Sequence, residues 1–180
     1  MRLDAPTSLL CVVDIQERLL PAVPNGRRVI DRAMLLAEAA ALLDVRTVLT
    51  EQYPKGLGPT PAELTAKLPA AFTKLSFSCC GCEPFAAGLG NVESVLLCGL
   101  ETHVCIAQTA IDLLLRGLTV FVAADAVASR HAIDHEIALR RLEATGAILT
   151  TAEAAIFEWC RSAEHPRFQE VRKLVLSASR

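Results

Sequence analysis

The chain has 180 residues, of which 52% are hydrophobic and 21% are charged. This length suits a single domain covering residues 1–180, and the apolar fraction is large enough to form a core, so a disordered chain is excluded. The formal net charge is −2, and the only aromatic residues are six Phe, one Trp and one Tyr. This composition argues against a protein that binds nucleic acid through a basic or base-stacking surface.

The sequence predicts a cytoplasmic protein that does not contact membranes. It has no run of about 18 uncharged apolar residues, as a transmembrane helix requires. Asp4 and Asp14 interrupt the apolar N-terminal stretch, so no signal peptide is expected. There are seven Cys, and Cys11 and Cys98 lie within apolar runs, which is typical of free, buried thiols in a reducing compartment.

Short apolar runs alternate with amphipathic segments along the chain. The predicted strands are residues 8–13, 45–50, 71–76, 94–99, 118–123 and 147–149. The predicted helices are residues 29–43, a short helix ending at 68, 83–89, 103–116, 134–145 and a C-terminal helix around 168–175. Strands that are apolar throughout and alternate with helices indicate an α/β fold, with a parallel sheet covered on both faces.

Three residues with reactive side chains follow or end predicted strands. Asp14 follows the first strand, Lys74 lies near the end of the third, and Cys105 follows the fourth at the start of a helix. Ligands of open parallel sheets bind beyond the carboxyl ends of the strands. We therefore expect a carboxylate, an ammonium group and a thiol on one edge of the sheet.

This combination is typical of nucleophilic catalysis by cysteine. A thiol attacks as the thiolate, and a helix N-terminus or a nearby Lys lowers the pKa of a Cys. A carboxylate can accept the thiol proton and return it to a leaving amine, while backbone N–H groups bind the oxyanion. The residues alone leave other roles open. Asp14 could serve merely as a helix cap, and Lys74 could simply be solvated.

Five segments of the chain resemble the isochorismatase-like cysteine hydrolases. They are VVDIQ (12–16), TEQYPKGLG (50–58), TKLSFSC (73–79), LLCGLETHVCIAQTAIDLLLRG (96–117) and the stretch 129–153. They follow one another in the order found in that family. The second and fourth segments are most similar to the branch named isochorismatase domain-containing proteins.

The resemblance implies a Rossmann-like, three-layer αβα sandwich with a mostly parallel six-stranded sheet. It also implies an Asp–Lys–Cys triad, with Asp14 as the base, Lys74 as its electrostatic partner and Cys105 as the nucleophile. The backbone N–H groups of Glu101 and Cys105 would form the oxyanion hole, after a non-proline cis peptide bond between Leu100 and Glu101. A nucleophilic Cys favours hydrolysis of a small amide or related C–N bond through a thioester.

Four further residues are predicted around the substrate pocket: Gln16, Tyr53, Thr102 and His103. No cofactor is expected, and no metal, because the chain has no His before Glu101 where the nicotinamidases of this family carry a metal site. The helix at 103–116 is apolar almost all round, which favours a partner subunit. With the resemblance, this predicts a homo-oligomer, either a dimer or an assembly of dimers.

Other interpretations of the sequence remain open. Cys79 and Cys82 form a C-x-x-C pair, so a thiol–disulfide redox protein is one alternative, although no second pair completes a zinc site. A catalytically silent oligomeric scaffold of the same fold is another. His131 and His135 have the i, i+4 spacing of metal ligands, but a solvated helix start explains them more simply.

Overall fold

The computed structural model describes residues 1–178. Its six strands are Ser8–Val13 (β1), Arg46–Gln52 (β2), Phe72–Lys74 (β3), Ser94–Leu100 (β4), Thr119–Ala128 (β5) and Ile148–Thr150 (β6). They form one sheet in the order β3-β2-β1-β4-β5-β6, and every neighbouring pair is parallel. The six-stranded parallel sheet is therefore confirmed.

Helices connect the strands and cover both faces of the sheet. They are Gly26–Leu42 (α1), Pro54–Leu57 (α2), Ala62–Thr65 (α3), Glu83–Ala87 (α4), Ala107–Leu115 (α5), Ala132–Ala144 (α6), Ala152–Cys160 (α7) and Phe168–Ala178 (α8). A π-helical turn, Thr102–Ile106, leads directly into α5. None of the helices in residues 1–178 has the length and apolar content for a membrane crossing.

Two apolar cores lie on opposite faces of the sheet because successive side chains of a strand alternate. In β1, Leu10 and Val12 belong to the core shared with α1, α7 and α8. Leu9, Cys11 and Val13 belong to the core shared with α4, α5 and α6. All six residues of β1 are buried, as expected of a central parallel strand. The predicted three-layer αβα sandwich is confirmed.

The chain differs from the predicted elements in four main places. Helix α2 lies in a stretch for which no helix was predicted. Helix α7 was not predicted, although Thr151 caps it by accepting a hydrogen bond from the Ala154 N–H at 3.3 Å. Strand β5 extends to Ala128, because its register with β4 shifts between Leu97 and Gly99 and pairing then resumes. The predicted helix at 103–116 begins as the π-helical turn.

The order of the strands creates a crevice between β1 and β4. From β1 the chain continues through β2 and β3 to one edge of the sheet, and from β4 it continues through β5 and β6 to the other edge. Such a switch point is where open α/β sheets bind ligands. Gly99 lets the two strands approach closely here, since a Cβ atom on it would lie 2.0 Å from the Val13 carbonyl oxygen. Asp14 follows β1, and the segment that carries Cys105 follows β4.

Candidate active site

Asp14 and Lys74 form a buried ion pair at the carboxyl end of the sheet. Lys74 Nζ donates to Asp14 Oδ2 at 2.6 Å, and the side chains of Lys74 and Asp14 are 0% and 1% exposed, respectively. Asp14 leaves β1 with a left-handed backbone, at φ 51°, while its N–H still donates to the Thr50 carbonyl at 3.1 Å. The sheet thus fixes the position from which the carboxylate projects.

The remaining polar atoms of this ion pair also have partners. Thr50 Oγ1 donates to Asp14 Oδ1 at 2.8 Å, and Lys74 Nζ donates to the carbonyls of Phe77 at 2.8 Å and Ser76 at 3.3 Å. Burial alone would lower the pKa of Lys74, but the negative groups around it, Asp14 foremost, outweigh burial and raise that pKa. The ammonium form is therefore stabilised, as a buried ion pair requires.

Cys105 meets this pair from the π-helical turn after β4. Its side chain is buried, and its thiol lies near enough to the Asp14 carboxylate for that charge to act on its pKa. Burial raises the pKa of Cys105 well above the ordinary range, the Asp14 charge raises it further, and Lys74 lowers it only in part. Lys74 therefore acts in the expected direction, but the net shift of the Cys105 pKa is upward, because burial dominates. The resting group is a neutral thiol beside a carboxylate.

Glu101 turns the chain between β4 and the π-helical turn. Its backbone is left-handed, with φ 58° and ψ 65°. Its buried carboxylate accepts hydrogen bonds from the Arg130 N–H and Nε, both at 3.1 Å. No cis peptide bond occurs in residues 1–178, so the expected Leu100–Glu101 cis bond is wrong. The left-handed residue makes the turn with a trans bond instead.

Gln16 and Tyr53 lie towards β2 and β3. Gln16 is buried, and its amide donates to the carbonyls of Gln52 at 3.1 Å and Gly58 at 2.7 Å while accepting from the Gln52 N–H at 2.9 Å. Gln16 therefore fastens the loop that carries Tyr53. Tyr53 is half-exposed and, together with Lys74, lines a cavity of about 400 Å³.

Thr102 and His103 lie on the other side of the site, towards α6. Thr102 is fully buried, and its Oγ1 is 2.9 Å from His135 Nδ1. His103 Nδ1 is 3.1 Å from Ser129 Oγ, and its Nε2 is 3.8 Å from Asp134 Oδ2. Their side chains thus contact α6 and the end of β5. Participation of all four predicted pocket residues in substrate binding stays a prediction.

Two residues near the site, Thr50 and Thr109, were not singled out from the sequence. Thr50 holds Asp14, and Thr109 Oγ1 accepts a hydrogen bond from the Cys79 N–H at 3.0 Å. Cys79 Sγ lies 3.6 Å from Thr50 Oγ1, and a hydrogen bond with Cys11 is the largest influence lowering its pKa. Only the resemblance could have indicated these residues, since Thr within a strand or helix has no distinctive pattern.

The C-x-x-C pair does not form a disulfide. All seven Cys are free, and Cys82 Sγ contacts the Thr73 carbonyl at 3.8 Å, whereas Cys79 faces Thr50 and Cys11. The two thiols therefore have separate partners. In residues 1–178, no group of three or more His, Cys, Asp or Glu side chains is arranged to hold a metal ion.

The chain is similar to known proteins over most of its length. The isochorismatase domain family matches residues 8–154. Isochorismatase domain-containing protein 2 of Bos taurus is 44% identical over 174 residues, which cover 96% of this chain and 85% of that protein. Isochorismatase domain-containing protein 2A of Mus musculus is 41% identical over 175 residues, which cover 97% and 85%, respectively.

Solved structures show the same architecture. The MAR1 ribonuclease from Caenorhabditis elegans is 42% identical, with a TM-score of 0.94, over 98% of this chain and 93% of that one. The YcaC gene product of Escherichia coli, described as an octameric hydrolase of unknown specificity, is 24% identical, with a TM-score of 0.82, over 99% and 97%. At that identity, the second likeness concerns the fold alone.

Proposed function

Because this chain belongs to the isochorismatase family of hydrolases, we propose that it is a cysteine hydrolase acting on a small amide or related C–N bond. Asp14, Lys74 and Cys105 are its proposed catalytic residues, and it needs no cofactor. The observation that carries the proposal is the Asp14 carboxylate, which contacts Lys74 at 2.6 Å and lies near enough to the Cys105 thiol to raise its pKa. The three residues come from separate parts of the chain and share one buried location.

In the proposed acylation, Cys105 Sγ attacks the substrate carbonyl carbon while its proton passes to the Asp14 carboxylate. The raised pKa of Cys105 supports proton transfer during the attack, because little free thiolate exists beforehand. The C–N bond of the tetrahedral intermediate then breaks, and Asp14 delivers the same proton to the leaving amine. The products of this half-reaction are an amine and a Cys105 thioester.

In the proposed deacylation, a water molecule attacks the thioester carbonyl and gives one proton to Asp14. The C–S bond breaks, the carboxylic acid leaves, and the proton returns to Cys105 Sγ. No oxidation occurs in either half-reaction, so no redox partner is needed. The N–H groups of Glu101 and Cys105 are the proposed donors to the oxyanion, each worth roughly 2.7–4 kcal/mol if removed.

Lys74 is the proposed electrostatic partner of Asp14. Its raised pKa keeps it protonated at neutral pH, and its hydrogen bonds to two carbonyls leave it poorly suited to give up a proton. A fixed positive charge stabilises the Asp14 carboxylate before and after each proton transfer. Gln16, Tyr53, Thr102 and His103 are the proposed pocket residues, with Gln16 acting through the loop it fastens.

A homo-oligomer and a cytoplasmic location complete the proposal. Several large apolar side chains remain exposed, including Leu75 at 77% and Leu115 at 81%. Exposed groups of this size are consistent with contacts between copies. The E. coli YcaC protein is described as octameric, and a closed assembly is the corresponding proposal here.

The experiment combines a turnover screen with cysteine mapping. We expect the protein to hydrolyse at least one member of a panel of amides, ureas and carbamates, and Cys105→Ala to abolish this turnover. Mass spectrometry of a denatured, quenched reaction should find the acyl group on Cys105. Cys82→Ala is the matched control, since it removes a nearby thiol that has no place in the mechanism.

The outcomes separate this proposal from its alternatives. Absence of turnover across the panel, with no acyl group found on Cys105, would support a silent scaffold. A Cys79–Cys82 disulfide that forms in a glutathione buffer and changes activity would favour the redox alternative. Acylation of a residue other than Cys105 would contradict the assigned nucleophile.

Hydrolysis of RNA is a second candidate, because the similar C. elegans protein is named a ribonuclease. The formal net charge of −2 and the few aromatic residues give this chain little means of binding a polyanion. A carboxylate–thiol pair also suits acyl transfer better than phosphodiester cleavage, since it forms a thioester readily. We therefore rank C–N hydrolysis first.

A further inference from the structure

One flank of α6 borders a groove of about 160 Å³ beside α5. Its apolar lining includes Ala107, Ile133, Ile137 and Ala138, and its charged lining includes Asp134 and Arg141. Ile133 and Ile137 are 62% and 50% exposed, which is unusual for isoleucine on a helix that packs against a core. This groove lies apart from the cavity that Tyr53 and Lys74 line.

The groove residues of α6 form a regular stripe. Asp134, Ile137, Ala138 and Arg141 have the spacing i, i+3, i+4 and i+7, so they share one side of the helix. Asp134 and Arg141 stand at opposite ends, about 10 Å apart along the axis. Between them lie the exposed Ile137 and the small Ala138, which lines the groove but is itself buried within the subunit.

The stripe is complementary in charge and shape to a second copy of itself that runs in the opposite direction. In an antiparallel pair of α6 helices with a two-fold axis between Ile137 and Ala138, Asp134 faces Arg141 of the partner subunit. The same axis sets the protruding Ile137 over the small Ala138 of the partner subunit, at the 8–10 Å spacing of packed helices. By symmetry, each contact occurs twice.

The charges at the two ends are available for such contacts. The only ion-pair partner of Asp134 within residues 1–178 is His103, at 3.8 Å, and its side chain is 41% exposed. Across the same residues, the exposed Arg141 guanidinium has no carboxylate within 4 Å. The other charged pair of α6, Glu136 with Arg140, is already satisfied within the helix.

We infer that the α6 stripe binds a second copy of this chain through an isologous, antiparallel helix pair. The inference rests on the homo-oligomer of the proposed function and names the surface that forms it. The interface would also enclose His103, whose neighbours Glu101 and Thr102 lead into the turn that carries Cys105. Assembly would therefore stabilise the turn that carries Cys105 in the proposed active site.

Charge reversal tests the inference with sedimentation velocity on the full chain. Asp134→Arg and Arg141→Asp should each raise the dissociation constant of the α6 contact at least about tenfold, because each places like charges together twice. The double variant Asp134→Arg/Arg141→Asp should regain the wild-type assembly. An equimolar mixture of the two single variants should form mixed pairs, since opposite charges then meet at both ends.

Glu136→Arg is the matched control, since it reverses a charge on the far side of α6 and should not change the assembly. Circular dichroism shows whether each variant is folded. A monomeric wild-type protein, single variants that assemble like the wild type, or a double variant that stays dissociated would each overturn the inference. Acylation of Cys105, measured on the same samples, tests the hydrolase proposal separately from the interface.

Discussion

Asp14 presents its two carboxylate oxygens to different partners. Oδ1 accepts from Thr50, while Oδ2 accepts from Lys74. The charge of Asp14 raises the pKa of the nearby Cys105 thiol, while the charge of Lys74 lowers it. The two charged residues therefore act in opposite directions on the same sulfur, which gives them opposite mutational signatures.

Asp14→Asn should shift the pH profile of Cys105 alkylation to lower pH, because it removes a charge that raises the thiol pKa. Lys74→Met should shift the profile to higher pH. Both variants should lower turnover at least about 100-fold, as expected for loss of general acid–base chemistry or its support. Iodoacetamide labelling at Cys105, followed by mass spectrometry from pH 6 to about 10, measures the shifts.

Cys80 is the matched control thiol in this experiment. Burial is the main cause of its raised pKa, and neither Asp14 nor Lys74 contributes to the shift. Its labelling profile should stay unchanged in both variants. Shifts of the same sign at Cys105 in the two variants would contradict the opposed roles.

Thr50→Val should destabilise the protein by about 1–3 kcal/mol, because it removes a buried hydrogen bond to a carboxylate. Thr47→Val on the same strand is the control. Thr47 is half-buried and makes only a 3.4 Å contact with the Val45 carbonyl, so its loss should change stability by less than about 0.5 kcal/mol. Urea denaturation measures both, and equal effects would argue against a special role for Thr50.

At the scale of single residues, the sequence predicts the reactive side chains better than the residues that hold them in position. Asp14, Lys74 and Cys105 could be proposed because each follows or ends an apolar run and matches a family motif. Thr50 and Thr109 could not, since Thr within a buried strand or helix is ordinary. The pKa direction of Cys105 also required coordinates, because it depends on how much water the surrounding chain excludes.

At the scale of elements, Gly99 sets how closely β4 approaches β1. Its φ of 139° is rare for other residues, and an added Cβ would lie 2.0 Å from the Val13 carbonyl oxygen. Because Asp14 follows Val13 directly, the same contact sets the distance between the ends of the two strands that carry Asp14 and the Cys105 segment. Only glycine, which has no side chain, permits β4 to approach β1 this closely.

Gly99→Ala should destabilise the protein by at least about 2 kcal/mol more than Gly117→Ala does. Both positions have positive φ, which costs a side chain about 1–2 kcal/mol. Gly117, however, has nothing within 4 Å of the added Cβ, so only Gly99→Ala also forces backbone apart. Thermal unfolding of both variants measures the difference, and equal losses would exclude a steric role for Gly99.

The elements themselves were largely predictable because parallel strands are apolar on both faces. Strand β1 was predicted at its observed bounds, Ser8–Val13. The π-helical turn before α5 was not, since Thr102–Ile106 has an ordinary helical composition. Helix α7 has a Thr cap but little polar periodicity in Ala152–Cys160, which explains why it was missed.

At the scale of the whole molecule, the charge balance bears on the choice of substrate class. Proteins that bind RNA without sequence preference rely on clustered Lys and Arg and on aromatic stacking. This chain has neither a net positive charge nor many aromatic residues. Composition therefore disfavours RNA as a substrate.

The protein should therefore not bind single-stranded RNA at physiological salt. Fluorescence anisotropy with a labelled 20-nucleotide RNA should show no change up to about 100 µM protein, a range that would detect ordinary non-specific binders. A gel assay should show no cleavage. Cleavage by the wild-type protein that disappears in Cys105→Ala would instead assign RNA hydrolysis to the proposed site.

The central place of β1 has a consequence for how this protein is made. Strand β1 pairs with β2 on one side and with β4 on the other, and the β4 contact joins residues about 86 positions apart, as in Ser8 with Ser94. A ribosome must therefore release more than half of the polypeptide before its first strand can be flanked on both edges. Until then, an apolar edge stays open to association with other nascent chains, so we expect the newly synthesised N-terminal half to depend on chaperones.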